Sequence, residues 1–127
     1  MARWEMVLSK VTRGEIWLVD FEPQTHQEEP GKRARPALVI QTNLLNQAGH
    51  PTTMVIPCTT QTYTDANGDG FPLRVPIGNI GGKATDLLID QVRTISNRRF
   101  MQSGAVTNLT TPQMRRVEQA LKLLLNL

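Results

Sequence analysis

Apolar positions along this chain come in short bursts separated by turn-forming residues, a pattern that predicts many brief strands rather than long helices. Glu15-Ile-Trp-Leu-Val-Asp-Phe21 is rich in β-branched and aromatic residues and is bounded by Gly14 and Pro23, so it reads as a strand. Pro36 to Gln41 reads as a second strand, followed by a turn or short helix around Asn43 to Asn46. Thr52-Thr-Met-Val-Ile-Pro57 is a third strand, which runs into the polar stretch Cys58-Thr-Thr-Gln-Thr62. Asp65-Ala-Asn-Gly-Asp-Gly70 predicts a hairpin tip, because Asn-Gly and Asp-Gly accommodate positive φ. Phe71 to Ile77 is a fourth strand, with Pro72 and Pro76 marking an edge or bulge. Gly78 to Lys83 then turns the chain into a fifth strand over Asp86 to Val92.

Beyond that point the pattern weakens, giving a short helical turn over Ser96 to Met101 and a brief strand at Ala105-Val106. A helix opens at Thr110-Thr-Pro112, where Thr111 caps ahead of Pro112 or Thr110 and Gln113 form a capping box. Met114, Val117, Leu121, Leu124 and Leu125 make one apolar stripe along it, so it is expected to pack on the sheet. The sum is a mainly β (α+β) fold: a small antiparallel barrel or highly curved sheet with a C-terminal α-helix. Residues up to Thr12 show no period and are expected to be an N-terminal arm on a single domain spanning 1–127.

Composition narrows the function classes. With 39% hydrophobic and 20% charged residues the chain is neither disordered nor membrane-spanning in character. Its beginning, with Glu5 and no long apolar run, does not read as a signal peptide. The single cysteine, Cys58, excludes an internal disulfide framework and fits a reducing cytoplasm. A net charge of +3 favours a polyanionic partner, and the placement of the cations says more than the total. They gather at Lys32, Arg33 and Arg35, at Arg93, Arg98 and Arg99, and at Arg115-Arg116, the last pair on the solvated face of the helix.

Candidate chemistry concentrates where Gly31-Lys-Arg-Ala-Arg-Pro36 enters the second strand. Pro36 holds Arg35 extended, so a planar, permanently charged fork stands at the mouth of a rigid element, well suited to gripping a phosphate. The preceding polar loop from Pro23 to Arg35, with Glu28 and Glu29, is long for so small a fold and reads as functional. Other motifs fail. Asp65 to Gly70 imitates half of a calcium loop but has Pro76 where a bidentate Glu belongs. Gly78 to Lys83 lacks the spacing of a phosphate loop, and His26, His50 and Cys58 make no metal cluster, so no metal or other cofactor is expected. Cys58 and Trp17 read as core residues, and His50 as an exposed turn residue.

Arg13-Gly-Glu-Ile-Trp-Leu-Val-Asp-Phe-Glu-Pro23, Arg35-Pro-Ala-Leu-Val-Ile40, Val55-Ile-Pro-Cys-Thr-Thr-Gln61, Phe71-Pro-Leu-Arg-Val75 and Asp90-Gln-Val-Arg-Thr-Ile95 occur in that order. Together they resemble the MazF/PemK/Kid family of toxin ribonucleases. The resemblance implies an SH3-like barrel, a homodimer, and metal-independent cleavage of single-stranded RNA at short preferred sequences. It also implies a cognate antitoxin whose extended acidic tail covers the RNA site, with DNA binding by the two together. It places catalysis on Arg35 and Thr59 and on a carboxylate in the preceding loop, Glu28 by counting from Pro23, with Glu29 as the alternative. Lys32, Arg33, Thr60, Gln61, Gln91 and Arg93 are the expected RNA contacts, Gln91 and Arg93 serving equally well in packing or dimer formation. The chain departs from the family in that loop, where His26-Gln27 precedes Glu28 and the path to Arg35-Pro36 is lengthened.

The chemistry fits the assignment. Cleaving RNA without a metal uses the 2′-hydroxyl as nucleophile, so the protein must accept a proton, donate one and stabilise a phosphorane. Arg35 suits the last role and Thr59 can add a hydrogen bond. A guanidinium is a poor base, which leaves the proton acceptor open between a carboxylate and Arg35. Two other classes compete: a gyrase-poisoning toxin of similar fold, which would end its helix in Trp-Gly-Ile where this chain has Leu123-Leu-Leu-Asn-Leu127, and a noncatalytic RNA-binding barrel, expected to lack the Arg35 and Thr59 pair.

Overall fold

The computed structural model describes residues 11–21 and 34–127. The expected arm before residue 11, and the polar loop with His26, Glu28, Glu29, Lys32 and Arg33, lie outside the described residues.

The fold is organised by β3 (Thr52–Thr59), which joins two parts of one curled antiparallel sheet. Its first half pairs with β6 (Arg93–Ser96), its middle with β2 (Ala34–Val39), and its last residues with β5 (Lys83–Leu88). Outward on one side stands β4 (Arg74–Ile80); on the other come β1 (Glu15–Asp20) and the edge strand β7 (Phe100–Asn108), giving the order β4-β5-β3-β2-β1-β7. A short helix α1 (Asn43–Gln47) follows β2, and helix α2 (Thr111–Leu125) closes the chain. This is the half-barrel with a C-terminal helix that the strand pattern predicts.

Side chains alternate between two cores. Ile16, Leu38, Ile56, Cys58 and Leu87 point to one face, where Val117 and Ala120 of α2 cover them. Trp17, Val19, Ala37, Val39 and Val55 point to the other, closed by Phe21, Ile95 and Phe100. Because both faces of β1 to β3 are covered, these strands read as near-continuous apolar runs. Trp17 is buried, meets Phe100 edge-on at 5.5 Å, and donates its indole N–H to Glu15 Oε1 at 3.0 Å.

Several boundaries differ from the sequence reading. β2 begins at Ala34, so Arg35 lies within the strand rather than at its mouth. β4 starts three residues later than expected, and the turn to β5 is made by Gly81 and Gly82, whose φ values of 61° and 82° suit a two-residue hairpin. The expected fifth strand over Asp86 to Val92 is instead β5, ending at Leu88, then a 3-10 turn (Ile89–Gln91), with β6 beginning at Arg93. Asp65 to Gly70 is not a hairpin tip, since β5 lies between β3 and β4. It is a separate loop in which the Asp65 carboxylate accepts the N–H groups of Asn67 and Asp69, each at 2.9 Å. The helical turn near Ser96 is a 3-10 turn (Asn97–Arg99), and β7 is far longer than Ala105-Val106.

At the start of α2 the capping box is the alternative realised, Thr110 and Gln113 each bonding the other's backbone N–H. Thr110→Ala should destabilise the fold by about 1 kcal/mol, read as a lower midpoint in urea. Along the helix Met114, Val117, Leu121 and Leu124 pack inward with Ala120, whereas Leu125 is 59% exposed and leaves the expected stripe.

Candidate active site

Arg35 and Thr59 are far apart in sequence, and strand register brings them together. The β2–β3 ladder runs Val39 to Val55, Leu38 to Ile56 and Ala37 to Pro57; carried two residues further, the same register sets Arg35 across from Thr59. Alternation fixes their direction. Arg35 shares a face with Ala37 and Val39, and Thr59 shares it with Val55, all of which lie in the Trp17 core. The two side chains therefore stand at the rim of that core, both half-buried. On its other side Arg35 is opposite Val19, so β1 braces it as well. Among the described residues nothing pairs with its guanidinium.

Thr59 is oriented by its own loop. Its Oγ1 accepts the N–H of Gln61 at 3.1 Å, which occupies a lone pair and leaves the hydroxyl proton to donate outward. The loop is held from below. Asp86, directly across β5 from Thr59 and almost wholly buried, accepts the N–H of Tyr63 at 3.1 Å. Arg74 Nη1 donates to the carbonyl of Gln61 at 3.2 Å. Thr60 and Gln61 are exposed beside Thr59.

Arg93 reaches the same face from β6, being opposite Val55 in register. Its guanidinium carbon lies 5.1 Å from the centre of the Phe21 ring, a cation–π arrangement that holds the charge at the rim. Phe21, Arg93, Ser96 and Arg99 line a cavity of about 200 Å³ there, and Arg99 Nη1 donates to the carbonyl of Asp20 at 3.3 Å. Gln91 is exposed on the 3-10 turn before β6 and belongs to no strand ladder. Of the expected site residues, Arg35 and Thr59 are set on one face by the β2–β3 register, Arg93 lies opposite Val55 and stacks on Phe21, and Thr60 and Gln61 follow Thr59 in the chain. Glu28, Glu29, Lys32 and Arg33 lie outside the described residues.

Phe21, Arg74 and Asp86 are the contributors that sequence reasoning missed. Asp86 stands at the head of the apolar run Leu87-Leu-Ile89, where a carboxylate reads as a surface-facing strand end. Other groups withdraw from chemistry. Cys58 is buried, and desolvation pushes its thiol up to about 12, so it is no thiolate nucleophile at neutral pH. His50 is exposed after α1. Among the described residues, no group of three or more His, Cys, Asp or Glu side chains could hold a metal ion, and no helix is long and apolar enough to cross a membrane.

The fold is thus a curled antiparallel half-barrel closed by a C-terminal helix. Residues 12–125 match the family described as PemK-like, MazF-like toxin of type II toxin–antitoxin system, and the chain belongs to that family. It is 39% identical over 87 residues to the endoribonuclease toxin ChpB of Escherichia coli (strain K12), an alignment covering 67% of this chain and 69% of that one. MazF from Deinococcus radiodurans superposes with a TM-score of 0.71 at 22% identity, covering 94% of this chain and 99% of that one. An endoribonuclease in complex with its cognate antitoxin from Mycobacterial species gives a TM-score of 0.67 at 19% identity, over 91% and 94% of the two chains. At these identities the structures establish a shared fold.

Proposed function

We propose that this chain is an endoribonuclease toxin that cuts single-stranded RNA at short preferred sequences without a metal ion. What supports the reading is the β2–β3 register, which carried two residues further would set Arg35 opposite Thr59, on a chain related to a named endoribonuclease toxin. The substrate's 2′-hydroxyl oxygen attacks the adjacent phosphorus while its proton passes to a base, a loop carboxylate (Glu28 or Glu29) or Arg35. Charge builds on the nonbridging oxygens of the phosphorane, where Arg35 donates from its fork and Thr59 from its hydroxyl. The bond from phosphorus to the 5′-oxygen then breaks and that oxygen takes a proton, leaving a 2′,3′-cyclic phosphate and a 5′-hydroxyl. Arg93, Lys32 and Arg33 hold flanking phosphates, and Thr60, Gln61 and Gln91 contact the strand. The same positive rim suits the acidic extended tail of a cognate antitoxin in the cytoplasm.

Purified protein incubated with a long RNA in EDTA should cut it, and mapping the 5′ ends of the fragments gives the preferred sequence. Loss of cleavage on chelation, restored by a divalent ion, would overturn the reading. The rate under subsaturating RNA should fall as salt rises, because a basic rim must displace counterions from the strand. A rate flat in salt would mean that the Arg35 and Arg93 rim does not face RNA.

The toxin is further proposed to act as a homodimer. Sedimentation at micromolar concentration should give twice the chain mass, and a purely monomeric boundary would count against it.

A further inference from the structure

The segment that follows Thr59 has no apolar anchor of its own, since Thr60, Gln61, Thr62 and Tyr63 are all exposed. Hydrogen bonds from the β4–β5 hairpin hold it instead. β5 runs between β3 and β4, and Asp86 on it stands in one cross-strand row with Thr59 and Pro76. Opposed residues share a face, so the Asp86 carboxylate is on the same side of the sheet as the Thr59 side chain. It is 2% exposed and accepts the N–H of Tyr63 through Oδ2 at 3.1 Å. Gln61 is gripped at both ends of its backbone, its N–H donating to Thr59 Oγ1 at 3.1 Å and its carbonyl accepting from Arg74 Nη1 at 3.2 Å. The Tyr63 ring meets Phe71 edge-on at 6.0 Å, a further tie to the residues leading into β4.

Stability by itself does not call for this arrangement. A buried carboxylate is held only where donors satisfy it, and an apolar residue in that row would avoid the desolvation altogether. What the carboxylate and the guanidinium supply is a fixed path for the loop. We propose that Asp86 and Arg74 are positioning residues for RNA cleavage, which hold the loop so that Gln61 occupies a lone pair of Thr59 and the hydroxyl proton is directed at the substrate phosphate. The inference rests on the reading of Thr59 as a catalytic hydroxyl and extends it to the residues behind it. Free rotation of a threonine hydroxyl would spread its donor over several directions. The Gln61 N–H removes part of that freedom before RNA arrives, and the two tethers keep the N–H in place.

Single-turnover cleavage at saturating RNA tests this, with thermal melts alongside. Asp86→Val removes the acceptor and should slow cleavage by roughly tenfold. The RNA concentration for half-saturation should hold, because the buried side chain touches no substrate. Asp86→Asn keeps an oxygen acceptor in the same place and should recover most of the rate. An asparagine variant as slow as the valine one would assign the carboxylate a charge or proton role and overturn positioning. The comparison that isolates the route is made in the Thr59→Val background. There Asp86→Val should cause almost no further loss, since the hydroxyl it positions is gone. Arg74→Met, which keeps the apolar stem and removes the donor, should behave likewise and decides the matter if Asp86→Val fails to fold. Losses that add in full to that of Thr59→Val, or a folded Asp86→Val protein cutting at the parental rate, would overturn the inference and leave the endoribonuclease reading standing. A parent that cuts no RNA, or a Thr59→Val protein as fast as the parent, would instead bring down the reading on which it rests.

Discussion

Replacing Arg35 with alanine should lower the single-turnover rate of RNA cleavage by roughly a hundredfold or more, about 3 kcal/mol of transition-state stabilisation. The guanidinium is half-buried at a strand rim with no partner among the described residues, so its loss leaves the phosphorane charge without its main donor. Arg35→Lys should recover little, because an ammonium keeps the charge but cannot present two parallel N–H donors. Thr59→Val keeps the shape of the side chain and removes only the hydroxyl, so its loss should be smaller than that of Arg35→Ala. None of these changes removes a core side chain, and thermal melts should stay near the parental curve. A folded Arg35→Ala protein that cuts RNA at the parental rate would place the chemistry elsewhere.

Leu38→Ala should behave in the opposite way, costing about 2–5 kcal/mol of stability. Leu38 is fully buried, sits across from Ile16 in β1 and Ile56 in β3, and anchors the strand that carries Arg35. Its truncation opens a cavity between the sheet and α2, which close packing lets the surroundings fill only in part. Urea titration should show the midpoint falling with the slope unchanged, while cleavage well below that midpoint persists. Cleavage abolished in a fully folded variant would mean that Leu38 sets the position of Arg35 and does not act through stability alone.

Much of the fold was legible because apolar runs and turn residues act locally. β1, β2, β3 and α2 were all expected from β-branched clusters, bounding glycines and prolines, and a capping pattern. The misplacements share a cause. β7 has little apolar patterning, and its strand state comes from pairing with β1. β5 was misplaced because Asp86 reads as a solvent-facing strand end, whereas the fold buries it and satisfies it with the Tyr63 N–H. The expected fifth strand ran through the 3-10 turn Ile89–Gln91 and stopped at Val92, and β6 was missed because Arg93-Thr-Ile-Ser96 holds one apolar residue and owes its strand state to pairing with β3.

The candidate site divides in the same way. From sequence alone came the chemistry: an arginine held extended by Pro36, hydroxyls after an apolar strand, a basic total charge and a family likeness that named Arg35 and Thr59. Only the tertiary structure decided the β2–β3 register that sets these two residues on one face, the stacking of Arg93 on Phe21, and the bonds from Asp86 and Arg74 that hold the Thr59 loop. The physical reason is that residue type and local backbone preference are written into short stretches of chain. The register between strands is instead a property of distant segments, fixed when both faces of the sheet find apolar cover.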